Sequence, residues 1–227
     1  MNSIVLPMTA EVDGMTVCAF HRACFARPGW PESTPVGDGA GVWHWIEVNH
    51  RHNSLLWDQE DLARRTQASD AEITSNKRAI DRFNQIRNDA TERVDEFLLL
   101  ALGLVDAATI GSDQPRSTAA PGARLNSETA GSMIDRLSIL SLKVRAMEAQ
   151  TRRAEVDEAH RASARVRLAR LEEQRTDLAR CLDELLADCR EGRACFKVYR
   201  QFKMYNDPRF NPALVAERAA RQAAVQP

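Results

Sequence analysis

Three stretches of this chain place polar side chains where a helix should bury apolar ones, and the groups are those that recognise ligands. In residues 42–65, "VWHWIEVNHRHNSLLWDQEDLARR", steps of about 100° per residue put Asn49, Asn53, Glu60 and Arg64 on the stripe that holds Val42, Ile46, Leu56 and Trp57. In residues 69–97, "SDAEITSNKRAIDRFNQIRNDATERVDEF", Arg87 falls among the core positions Ile73, Ile80, Phe83, Ala90 and Val94. Beside that face runs a polar ladder of Lys77, Asp81, Asn84, Asn88, Thr91 and Asp95, at alternating steps of four and three. Asn, Asp and Thr are weak helix formers, so their selection points to specific side-chain contacts. The third stretch, "LNSETAGSMIDRLSILSLK" (125–143), sets Asp135 and Arg136 in a helix that is apolar on two sides.

Buried polar groups cost several kcal/mol each unless paired, so these side chains must meet one another, water or a ligand. The reading adopted is a polar chamber inside a helical bundle that takes an anionic small molecule: a nucleotide, sugar phosphate or nucleotide sugar. Arg64, Lys77, Arg87 and Arg136 are the expected anion contacts, since guanidinium suits bidentate phosphate binding. Asn53, Asn84 and Asn88 orient the ligand, and Glu60, Asp81, Glu128 and Asp135 belong to the same site, an acid set whose facing would also suit a metal. A basic and aromatic stretch, "RACFKVYRQFKMYNDPR" (193–209), offers Lys197 and Arg200 as a roof.

Two other readings fit the same residues. Asp58/Asp61 and Glu92/Asp95 repeat a three-residue acid spacing that could hold magnesium in an all-α nucleotide pyrophosphohydrolase, the one setting in which a cofactor is implied. Alternatively the charges close on each other as a structural salt-bridge network. His44, His50 and His52 point three ways on a helix, so no shared metal is expected, and no nucleophile has a base fixed by local spacing.

The elements needed to position these groups follow from periodicity. Helices are predicted at 42–66, 70–105, 129–150, 156–191 and 194–205, an all-α bundle of about five helices. Asp70, Ser127 or Thr129, and Gly192 are the cap candidates. No strong breaker lies in 151–157, so the third and fourth helices could form one rod or a hairpin. Leu168, Leu171, Leu178, Leu182 and Leu185 give the fourth helix an apolar stripe better suited to its own bundle than to a coiled-coil partner. The bundle domain spans 42–207, with a Pro/Gly/Ser/Ala linker at 106–124. Residues 1–41 read as an irregular arm with a short strand or lying segment at 14–20, and "GDGAG" (37–41) as a plain loop. The tail, 208–227, has little to bury and is expected to fray.

Composition sets the outer bounds. Of 227 residues, 44% are hydrophobic, 28% charged and 6% aromatic, a balance that favours helices. A net charge of −1 gives no strong nucleic-acid signal. Five cysteines, none in a C-x-x-C pair, read as reduced cytoplasmic thiols. The apolar run "FLLLALGLV" is too short to span a membrane, and a homodimer is compatible with the sequence.

Four blocks, "NHRHNSLLWDQEDLARR", "NKRAIDRFNQIRNDATERVD", "ETAGSMIDRLSIL" and "KVYRQFKMYNDP", resemble in order those of the bacterial domain of unknown function 4254 family, over roughly residues 45–212. The resemblance implies a cytoplasmic, all-helical bacterial protein, in the context of surface-glycan biosynthesis. It carries over no catalytic residues.

Overall fold

A computed structural model describes residues 11–33, 41–201, 204 and 207–225. The chain runs α1 (Gly14–Phe25), α2 (Val42–Ala63), α3 (Asp70–Ala101), β1 (Arg124–Leu125), α4 (Ala130–Thr151), α5 (Glu158–Arg190), β2 (Ala194–Cys195) and α6 (Pro212–Val225). The fold is all-α, since the strands are a two-residue parallel pair.

Capping residues set the helix starts. Ser69, rather than Asp70, caps α3: its hydroxyl accepts from the Glu72 N–H while the Glu72 carboxylate accepts from the Ser69 N–H, a reciprocal capping box. Thr129 caps α4 and Asp157 caps α5, each accepting a backbone N–H three residues on. Asp157 therefore divides what could have been one rod, and α4 and α5 form a hairpin joined at 152–157. Gly192 follows α5 at φ +70, a left-handed turn that glycine takes without the Cβ clash.

Two hairpins, α2/α3 and α4/α5, pack together through α4, and α1 lies against α4 and α5. Ile46, Val94, Leu99, Ile134, Leu137 and Leu182 form the centre of one core that also takes Val17, Phe20 and Cys24 from α1. The arm expected at 14–20 is thus a helix built into the core, capped by Asp13 and tied by the Gly14 N–H to Asp183 Oδ1 at 2.7 Å. The helix expected at 194–205 is also corrected. Arg124 N donates to Arg193 O and Asn126 N to Cys195 O, each at 2.8 Å, and the chain runs on without helix to Gln201. Phe196 and Val198 are buried while Lys197 and Tyr199 are exposed, the period-two pattern of extended chain. The tail expected to fray is helical over α6, which among the described residues packs on no other element. Gly37 to Ala40, within the loop expected at 37–41, lie outside the described residues, as do Phe202, Lys203 and Tyr205.

Candidate functional site

Asp135 stands at the junction of α2, α3 and α4. Its Oδ1 accepts from Asn49 Nδ2 and Asn53 Nδ2, each at 2.8 Å. Asn49 and Asn53 are successive turns of α2, so the helix itself spaces two amide donors onto one carboxylate oxygen. From α3, Thr91 Oγ1 accepts from Asn49 at 3.1 Å and donates to the Arg87 carbonyl at 3.0 Å. On α4, one turn beyond Asp135, Ser138 Oγ accepts from Asn53 at 3.0 Å and lies 2.8 Å from His50 Nδ1. Ser138 thus joins Asn53 to His50, and the imidazole tautomer sets the direction of the Ser138–His50 bond.

Arg87 closes the outer side. Its Nη1 lies 4.0 Å from Asp135 Oδ2, its Nη2 donates to Asn88 Oδ1 at 3.0 Å, and its buried Nε has no hydrogen-bond partner among the described residues. Asn53, Asn84, Arg87, Glu60, Arg64 and Trp57 line a cleft of about 330 Å³ floored by Leu56, Ile139 and Leu142. Glu60 and Arg64 pair with each other at 2.9 Å at its exposed rim. The cleft is therefore a mouth with mixed charge, two amides and an indole, above a hydrogen-bonded base.

The other proposed residues lie elsewhere. Lys77 and Asp81 pair at 2.7 Å on the exposed surface at the start of α3 and do not line the cleft. Arg136 leaves Asp135 for the opposite side and pairs with Glu128 at 2.6 Å in a groove between α4 and α5. Lys197 is exposed. Arg200 is a clamp: its guanidinium meets Glu92 at 3.0 Å and Glu96 at 2.6 Å, and donates to the Ile110 carbonyl at 2.7 Å. That contact ties the chain after β2 and the 106–124 linker to α3, and it gives Glu92 a structural partner. The magnesium spacing fares no better. Asp58 and Asp61 are exposed near the end of α2, whereas Arg93, beside Glu92, lies over Trp45 at its start. The two acid pairs sit on the order of 20 Å apart along the hairpin, at 1.5 Å per residue. Among the described residues, no group of three or more His, Cys, Asp or Glu side chains could hold a metal ion.

Sequence reasoning noted Asn49 on the buried stripe but left it out of the site, where it is the partner of Asp135. It also passed over His50 and Ser138. His50 and His21 are fully buried and stack at 4.3 Å, and Trp30 also stacks with His50, at 5.4 Å. Burial holds His50 well below the usual imidazole range and brings His21 down to about 3, with Arg175 adding to the latter. Both rings are neutral. Asp95, on the ladder, accepts the Gly131 N–H at 2.6 Å, and burial, with Glu92 and Glu96 adding, pushes its carboxyl up to about 7.

Comparison with known proteins adds one match. Residues 43–198 match the family model described as "Protein of unknown function (DUF4254)". No curated protein and no solved structure matches the chain.

Proposed function

The chain belongs to that family of unknown function, and from the geometry of the cleft we propose that it is a binding protein for a small, hydroxyl-bearing anion. Sugar phosphates, nucleotide sugars and nucleotides are the classes that fit. The observation that carries the reading is Arg87, which lines the cleft with its guanidinium held to Asp135 only loosely, at 4.0 Å, beside amides from Asn53 and Asn84. A ligand anion offers the guanidinium a closer partner, and ligand hydroxyls match the amides and carboxylates. Trp57 offers an apolar face for a sugar or base. An accessory role in surface-glycan biosynthesis, in the cytoplasm, agrees with this ligand class.

A thermal-shift series with nucleotides, nucleotide sugars and sugar phosphates tests the reading. A saturable rise in melting temperature with one class, lost in Arg87→Ala, is expected. No shift with any of them, from a protein that melts cooperatively, sinks it. One observation favours a second reading, a purely structural network: Asp135, Asn49, Asn53, Ser138 and His50 already bond one another. On that reading Arg87→Ala lowers stability and no ligand shifts the melting temperature.

A further inference from the structure

A second depression lies on the far side of Trp57, between α4 and α5, and its chemistry differs from that of the polar cleft. It is an open trough of about 450 Å³ whose floor is Trp57, Ala146, Met147 and Leu171. Lys143, Arg167 and Arg170 stand around it, Gln150 is the only other polar lining residue, and no Asp or Glu lines it. Arg170 pairs with Glu173 at 2.7 Å, an exposed contact that is easily exchanged. Among the described residues, neither Lys143 nor Arg167 forms an ion pair, although most arginines of this chain do. Apolar floor and acid-free cationic rim occur together here, whereas the polar cleft carries Glu60 and Asp61. The α4/α5 groove around Arg136 has four acids, and the cleft between α1, α4 and α5 has Glu148 and Glu172.

We infer that this trough binds an amphipathic anion, an aliphatic chain carrying a phosphate or carboxylate head, with the chain on Trp57, Met147 and Leu171 and the head on Lys143 and Arg167. A nucleobase fits less well, because its polar edges would face an almost wholly apolar floor. Burial of the chain provides the attraction, and the two unpaired cations fix which end faces solvent. The trough shares only Trp57 with the polar cleft, so this inference does not depend on what the cleft binds.

The test is calorimetric titration of the full chain with monomeric dodecyl phosphate, below its micelle concentration. One saturable site is expected. Octyl phosphate should bind at least tenfold more weakly, since each buried methylene strengthens binding about fourfold at most, and inorganic phosphate should not bind. Dodecanol, without the charge, should lose at least tenfold, as should the Lys143→Glu, Arg167→Glu double variant. Both substitutions are at exposed positions, and an unchanged melting temperature verifies the fold. Arg87→Ala, the variant expected to lose binding in the cleft, should leave dodecyl phosphate affinity intact. Absence of saturable binding overturns the inference, as does equal affinity for the double variant. Capture on vesicles of anionic phospholipid without binding of the monomeric amphiphile also overturns it, in favour of a membrane-surface contact.

Discussion

Two aspartates show how the same side chain is put to different uses by its surroundings. Asp135 accepts from amides on α2, so truncation leaves an Asn49 N–H unpaired and removes the ionic partner of Arg87 at a largely buried site, while Asn53 keeps Ser138 and Asn49. Unsatisfied buried donors cost about 1–3 kcal/mol each. Asp135→Leu should therefore lower the unfolding free energy by roughly 2–4 kcal/mol, while Asp135→Asn, which keeps an acceptor oxygen, should cost about 1 kcal/mol. Urea titrations with an unchanged slope measure both, and equal losses would refute the pairing. Asp95 is the opposite case, a carboxyl raised to about 7 by burial first and by Glu92 and Glu96 next. Its ordinary value is 3.8, so between about pH 4 and 7 the folded state holds a proton that the unfolded state releases. Stability from this group consequently falls as pH rises through that window, and is constant above it. Asp95→Asn can still accept the Gly131 N–H and does not titrate. Relative to the parent it should gain stability from pH 4.5 to about 7 and level off above, and a difference independent of pH would show that Asp95 ionises normally.

At the scale of elements, α3 and α4 approach so closely at Gly131 that a Cβ there would lie 2.6 Å from the Thr91 carbonyl and 2.8 Å from Asp95 Oδ1. The neighbour at 2.6 Å is backbone and cannot swing aside, so Gly131→Ala should destabilise by about 1–3 kcal/mol despite alanine's higher helix propensity. A melting temperature equal to or above that of the parent would mean that the helices part freely. The same crossing explains what was legible in the sequence. Helices α2 to α5 could be read because their periodic faces are long and because Thr129 and Gly192 mark two ends by their chemistry, whereas the caps at Ser69 and Asp157 lie outside that reading. Helix α1 was hidden by the Gly and Pro residues that follow it, although Val17, Phe20 and Cys24 already have helical spacing. The segment after β2 was misread because Phe196, Tyr199 and Phe202 also have helical spacing, while the alternation from Phe196 to Tyr199 is that of a strand. For the site, a helical wheel gives the face of a residue and not its level. Asn53, Asn84, Arg87 and Asp135 share both. Lys77 and Asp81 share only the face of Asn84, one to two turns toward the end of the hairpin, and Arg136, 100° around from Asp135, faces α5.

For the whole molecule, the decisive feature is that the packing of α1 on the two hairpins encloses a neutral histidine pair. His21 comes from α1 and His50 from α2, and they stack with Trp30 and Phe25 against them. Arg175 on α5 faces His21, and Arg145 on α4 and Arg27 face His50, so a proton on either ring meets cations as well as desolvation. Both folded values lie far below the ordinary 6.5. In acid the unfolded chain takes up protons that the folded chain refuses, so stability is fully present above about pH 6.5 and is lost as pH falls toward 3. Each such group contributes at most about 1.4 kcal/mol per pH unit. Two histidines outweigh the opposing slope of the single Asp95, which leaves a net loss of roughly 1.4 kcal/mol per unit below pH 6.5. Among the described residues His21 makes no hydrogen bond through its ring nitrogens, so phenylalanine can replace it within the stack. His21→Phe should flatten the profile between pH 4.5 and 6.5, as read from urea midpoints across that range. An unaltered slope in the variant would place the acid sensitivity elsewhere and would mean that α1 does not seal this part of the core.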